Sequence, residues 1–323
     1  MEYQEFLKCV KGMIVQRMPD KKVELHKIIK NNDVVRDGLI IRKRDSQISP
    51  TIYLNEYYDK YMDGTQLSEI VEEVLQIYKQ YAVDHLVDED FFRDFKRVRA
   101  RVVYKLIGLE ANRNLLKTIP YIPFLDMAIV FYYMFEPTED VCGTVLIHNQ
   151  HIQSWGVETE LLLAYAKRNT PLLMPPAVLH MDKVMRDYLH LNFKSGLSES
   201  THLRETLDED DEKIEQLVDY VVQRVTLESE TNMFVLTNER RFCGAAVMLY
   251  SKLLHKIAMR LGKDLLIIPS SIHEVIIMPD RGEYSIEELS NFVRNINEEA
   301  VEQEERLTNH IYIYRRKNGC ISF

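Results

Sequence analysis

The chain has 323 residues with 41 Lys+Arg against 50 Asp+Glu, a formal charge of −9, and at about 150 residues per domain it is long enough for one large domain or two ordinary ones. Hydrophobic and charged fractions of 46% and 28% are those of a soluble globular protein, while 11 Gly and 10 Pro are too few for a collagen-like, low-complexity or turn-dense all-β design. Four dispersed cysteines, Cys9, Cys142, Cys243 and Cys320, contain no C-x-x-C pair, so reduced thiols in a cytoplasm are expected rather than a disulfide scaffold or a Cys-rich zinc site.

Taken in order, Phe6, Val10, Met13 and Ile14 have helical spacing, which predicts a helix over 2–18. This start is acidic and amphipathic and lacks the basic and apolar regions of a signal peptide. Segments 23–29 and 34–44 flank Asn31-Asn32-Asp33 and read as a β-hairpin, with a third short strand or extended segment at 49–55. Leu67, Ile70, Val71, Val74, Ile77 and Tyr78 define a helix over 67–81. An acidic stretch at 84–90 precedes a helical or irregular 91–98, then a strand at 102–107 and a short helix at 110–117. Pro120 and Pro123 suggest a unit boundary near 118.

The apolar run 124–135 suits a strand buried on both faces. It is too short for a membrane span, which needs about 20 residues, and it contains Asp126, whose expected role is a structural hydrogen bond to backbone. A strand at 145–150, a helix over 158–167 ended by Asn169-Thr170-Pro171, and a strand at 172–174 follow. Residues 181–229 read as polar and helical with a linker at 192–209. Beyond them come strands at 233–236, 265–269, 274–278 and 311–314 and helices over 244–261 and 285–301. Strands and helices without regular βαβ alternation give an α+β fold with mixed or antiparallel sheets, an N-terminal unit 1–118 and a C-terminal unit 119–323.

Cys243 precedes Gly244-Ala245-Ala246 at an expected helix start, where the dipole and Arg240 and Arg241 favour a thiolate, and His273 is available as a base. That pair defines a cysteine-dependent hydrolase or transferase; the competing reading is a small packing residue. Ser270, Ser271, His273 and Glu274 read as a polar turn, because a strand sends Ser271 and His273 to one face and Glu274 to the other. His148 and His151 lack the further ligands a metal site needs. There is no H-E-x-x-H, Walker A, G-x-G-x-x-G or G-x-S-x-G, so no metal or cofactor is implied.

Basic residues crowd two places. Arg93, Lys96, Arg97, Arg99 and Arg101 lie beside Phe91, Phe92 and Phe95, and the hairpin region 17–44 holds nine basic and four acidic residues. If these faces converge they make a patch for an anionic partner such as RNA or DNA. Residues 106–323, with 22 basic and 32 acidic residues, disfavour extended nucleic-acid binding. Tyr53, Tyr57, Tyr58 and Tyr61 are either an interface stripe or core.

Several segments carry a resemblance: ELHKIIKNNDVVRDGLIIR, ISPTIYLNEYYDKYMDG, RVVYKLI, IPFLDMAIVFYYMF, LIHNQHIQSWGV, AKRNTP, FVLTN and LIIPSSIHEVIIMP. Together they resemble, over nearly the whole chain, an uncharacterised protein family of anaerobic Gram-positive bacteria. The Asp126 strand and WGVETELLLAYAKRN are similar to a second bacterial family of unknown function. The resemblance implies a stand-alone bacterial cytoplasmic protein and brings no activity, cofactor or catalytic residue. With no strong catalytic constellation, the leading expectation is a non-enzymatic binding or regulatory protein with a macromolecular partner, most naturally another protein, and no membrane role.

Overall fold

Hydrophobic alternation over the first eighty residues builds a small sheet with its own core. In the computed structural model, which describes residues 1–43, 50–81, 92–138, 141–181, 184, 207–223, 225 and 232–323, helix α1 (Tyr3–Arg17) leads into β1 (Lys21–Ile29), β2 (Val35–Lys43) and β3 (Thr51–Tyr53), then α2 (Asn55–Met62) and α3 (Leu67–Tyr81). β1 and β2 pair without a shift from Lys21↔Lys43 to Ile29↔Val35, and β3 adds to β2. Phe6, Val10 and Ile14 of α1 and Ile70, Val71 and Val74 of α3 close over Leu39, Ile41 and Ile52. Each such side chain contributes about 1.5–3 kcal/mol when fully buried.

The hairpin turn does more than reverse the chain. Asn32 and Asp33 have φ of 58° and 55°, the left-handed region that Asn and Asp tolerate best among residues with a Cβ. Asn31 Nδ2 donates to Glu304 O at 2.8 Å and Asn32 Nδ2 to Gln303 O at 2.6 Å. The Asp33 carboxylate accepts from the backbone N–H groups of Asn114 and Leu115, both at 2.9 Å. This turn therefore docks the first sheet onto the rest of the chain.

A second sheet consists of β4 (Val102–Gly108), β5 (Tyr121–Phe124), β6 (Met127–Thr138) and β7 (Val141–Leu146). β6 is its centre, with β4 along one edge and β5 then β7 along the other. The boundary expected at 118/119 falls inside this sheet, since all of β4 pairs with β6. The prolines mark an edge instead: among the described residues β5 pairs with β6 alone and carries Pro123, and edge strands tolerate a missing N–H. The run expected as one strand turns at Leu125, φ 56°, and Asp126. Asp126 is the local turn residue of that bend, and distant side chains hold it: Tyr312 Oη donates to Asp126 Oδ1 at 2.5 Å and His310 Nδ1 lies 2.7 Å from Oδ2. The partners of Asp126 are thus side chains as well as the backbone N–H of Leu109, which reaches its carbonyl at 2.9 Å.

The third sheet has the order β13-β12-β10-β11-β9-β8, antiparallel throughout, from β8 (Pro176–His180), β9 (Phe234–Asn238), β10 (Leu265–Ser271), β11 (Glu274–Pro279), β12 (Tyr312–Arg315) and β13 (Cys320–Ser322). Further α-helices are α4 (Phe95–Val98), α5 (Asn149–Trp155), α6 (Thr159–Leu173), α7 (Leu207–Gln223), α8 (Leu253–Leu261) and α9 (Ile286–Ala300). The fold class is α+β. The largest core joins the second and third sheets through Tyr104, Phe131, Phe234, Leu236, Ile267 and Ile277, with α6, α7 and α8 packed on it.

Two helices depart from expectation. α6 runs through Asn169-Thr170-Pro171 to Leu173, replacing the strand expected at 172–174. Asn169 Nδ2 donates to Arg99 O and Val102 O at 2.7 and 2.9 Å, and Thr170 Oγ1 accepts from Tyr104 N at 3.1 Å, so tertiary bonds outweigh the local stop signal. The helix expected over 244–261 divides into a 3-10 segment, Gly244–Leu249, and α8, with Lys252 at φ 63° between them. The expected acidic stretch 84–90, Phe91 and most of the linker 192–209 lie outside the described residues.

Candidate functional site

A cleft of about 970 Å³ separates the first sheet from the second. β1 and its end supply Lys27 and Lys30, β3 supplies Tyr53, and the chain entering α4 supplies Phe92 and Arg93. The opposite wall is Lys105 of β4, Val130 and Tyr132 of β6, Leu146 of β7, and His148 and His151 at the head of α5. Four basic residues line the cleft, and no Asp or Glu is among its described lining residues. Thus the two basic segments singled out in the sequence do meet, through Lys27, Lys30 and Arg93.

Lys30 Nζ sits 4.4 Å from the Tyr53 ring centre and 3.4 Å from its hydroxyl. Lys105 Nζ lies 4.6 Å from the centre of the Tyr132 ring, and the buried Tyr132 hydroxyl has no hydrogen-bond partner among the described residues. Burial is the main cause pushing the Lys105 amine below the usual lysine range; Lys30 adds to that, while Cys243 and Glu305 oppose it.

His148 and His151 cap α5 reciprocally: the His148 backbone N–H donates to His151 Nδ1 at 3.0 Å, and the His148 ring accepts from the His151 backbone. The strand expected at 145–150 therefore ends at Leu146 and the HNQH pair becomes a helix start. Burial, then the neighbouring His148, lowers His151 to about 4; burial also lowers His148. Among the described residues no cluster of three or more metal-ligating side chains occurs.

Cys243 and His273 are brought together, but through the backbone. Cys243, at φ 51°, donates its N–H to His273 Nδ1 at 3.1 Å, and His273 Nε2 contacts the Glu305 carboxylate. Both ring nitrogens are thus engaged. The Cys243 side chain is buried, and burial raises its thiol above the usual range, opposed by Lys105. Arg240 Nε reaches the Leu173 carbonyl at 3.2 Å. Ser271 Oγ accepts from His273 N at 3.0 Å and Ser270 Oγ donates to Glu274 at 3.3 Å, the bonding of a polar turn.

Of the basic run, Arg93 alone lines the cleft. Lys96 and Arg97 are on α4, whose start is capped by the Asp94 carboxylate accepting from Lys96 N at 2.9 Å. Arg99 donates to Tyr165 Oη at 3.0 Å, and Arg101 belongs to the 3-10 turn before β4. Tyr57 is core, and Tyr58 and Tyr61 pack on Phe6, whereas Tyr53 faces the cleft. Sequence reasoning missed Lys105 and Tyr132; the available signal was one lysine inside the otherwise buried strand VVYKLIG.

The family model of DUF5688, a family of unknown function, matches residues 3–316, and the chain belongs to that family. No curated protein and no solved structure matches the chain. Among the described residues no helix is long and apolar enough to cross a membrane.

Proposed function

We propose that this DUF5688 protein is a non-catalytic binding protein for a small anionic ligand, held in the cleft between the first and second sheets. The observation that carries this reading is the convergence of Lys27, Lys30 and Arg93 on a cleft with no carboxylate among its described lining residues, in a chain whose net charge is −9. Cations grouped in a concave site focus their field on an entering anion. The volume, about 970 Å³, suits a small ligand, for which pockets span roughly 300–1,000 Å³.

Recognition by charge fits better than base stacking. The Tyr53 and Tyr132 rings lie against Lys30 and Lys105, and Phe92 packs on Tyr133, His151 and Trp155. This reading replaces the expected macromolecular, most naturally protein, partner with a ligand that enters the cleft. A hydrolase built on Cys243 gains little support, because His273 spends both nitrogens on other partners. Free thiols at Cys9, Cys243 and Cys320 are consistent with a place in the bacterial cytoplasm.

Titration calorimetry with inorganic pyrophosphate, citrate and uncharged glucose tests the reading. Both anions bind and glucose does not, and added salt weakens the binding. Lys27→Ala with Lys30→Ala weakens it by about tenfold, or 1.4 kcal/mol, whereas Lys96→Ala leaves it unchanged. Equal affinity for the double variant, or no anion binding at low salt, overturns the proposal. Binding of a single-stranded oligonucleotide alone would turn the assignment to nucleic acid.

A further inference from the structure

Lys105 stands where a buried strand has least reason to carry a charge. Its neighbours Val103, Tyr104, Leu106 and Ile107 are buried, and it pairs across the sheet with Val130. No carboxylate lies within ion-pair distance of its ammonium among the described residues; its close polar neighbour is the Tyr132 ring, whose hydroxyl is itself unpartnered among them. An ammonium in such a strand is costly without an ion-pair partner, and burial, opposed only at a distance by Cys243 and Glu305, moves this amine toward its uncharged, nucleophilic form. The same residue lines the cleft together with Lys27, Lys30 and Arg93, and the Lys30 cation acts on its charge. A desolvated lysine next to other cations is a recognised way of activating an amine toward carbonyl groups.

We propose that Lys105 forms an imine with the aldehyde or ketone group of an anionic ligand bound in the cleft. This rests on the anion-binding reading above and adds the ligand's second chemical feature. The Nζ lone pair forms a C–N bond to the carbonyl carbon, the C=O π pair moves to oxygen, and one nitrogen proton transfers to that oxygen to give a carbinolamine. The C–O bond then breaks, and oxygen leaves as water with the second nitrogen proton as the nitrogen lone pair completes the C=N bond. Nothing is oxidised or reduced. The cations hold the anionic end of the ligand, so that its carbonyl meets the amine repeatedly in one orientation.

The experiment treats the full chain at neutral pH with pyridoxal 5′-phosphate, a phosphorylated aldehyde, traps imines with borohydride and maps the modified lysines by mass spectrometry. Lys105 is labelled at least about tenfold faster than Lys96, because the cations of the cleft hold the phosphorylated aldehyde beside it. Unphosphorylated pyridoxal labels Lys105 more slowly, and pyrophosphate protects it. Lys105→Arg loses this label. If pyrophosphate binds but Lys105 is labelled no faster than Lys96, imine formation is overturned and the anion-binding reading stands. If Lys105 is labelled equally by both aldehydes and pyrophosphate neither binds nor protects, the anion-binding reading falls, and the ligand assignment with it. Labelling of the unaltered protein decides the matter even if the Lys105→Arg chain does not fold.

Discussion

Cys243 and Lys105 lie close enough for each to influence the other's ionisation, yet their surroundings differ in kind. Around Cys243 the backbone and side chains are tightly engaged: its N–H goes to His273 Nδ1, and His273 Nε2 lies against the Glu305 carboxylate. The packing there is so close that a Cβ at Gly244 would stand 2.2 Å from Thr237 Oγ1 and 2.4 Å from the His273 carbonyl oxygen. Lys105 instead lines a cleft beside a hydroxyl that has no partner among the described residues. Residue type does not make a nucleophile usable. What matters is free volume in front of it and neighbours whose hydrogen-bonding groups are still unpaired.

The sharpest way to break this contrast is Gly244→Ala. The added methyl forces β9 away from the β10–β11 turn, and overpacking of this kind costs about 3 kcal/mol, read as a lowered urea midpoint. An unchanged midpoint would mean that the Cys243 region is slack rather than sealed. Thiol accessibility gives the next largest effect. Cys320 is exposed and Cys243 buried, so iodoacetamide modifies Cys320 first and Cys243 about a hundredfold more slowly, at a rate set by local opening. Comparable rates would restore Cys243 and His273 as a reactive pair.

The smallest effect concerns the cleft wall. His151 titrates at about 4 in the folded chain, below its unfolded value of about 6.5. Stability from this group is fully present above about pH 6.5 and is lost as the pH falls toward 4, because only the unfolded chain binds the proton in that interval. After allowance for solvent screening the loss is on the order of 1–2 kcal/mol. His151→Gln, followed by thermal unfolding against pH, flattens that slope. An unchanged slope would assign the acid sensitivity to other groups.

Much of the element list was legible because local periodicity and local caps suffice for it. α3 follows from six apolar residues at helical spacing, the start of α9 from Ser285, whose hydroxyl accepts from Glu288 N, and the β1–β2 hairpin from Asn31-Asn32-Asp33. Three of the errors share one cause. At Leu125-Asp126, at Asn169-Thr170-Pro171 and at Gly244 the local signal was overruled by partners far away in sequence: His310 and Tyr312, Arg99 and Val102, Thr237 and His273. Of the candidate site, the basic content of the hairpin and of residues 93–101 could be read, but which cations face one cleft could not.

The sequence by itself determined an α+β protein with helices and hairpins in nearly their final places, because side-chain periodicity and turn chemistry act over a few residues. Only the tertiary structure decided that β4 and β6 join the two expected units into one sheet. It also decided that His273 serves the Cys243 backbone, and that Lys27, Lys30, Arg93 and Lys105 border a common space. Such juxtapositions depend on sheet order and packing between segments separated by many tens of residues, and no spacing along the chain encodes them.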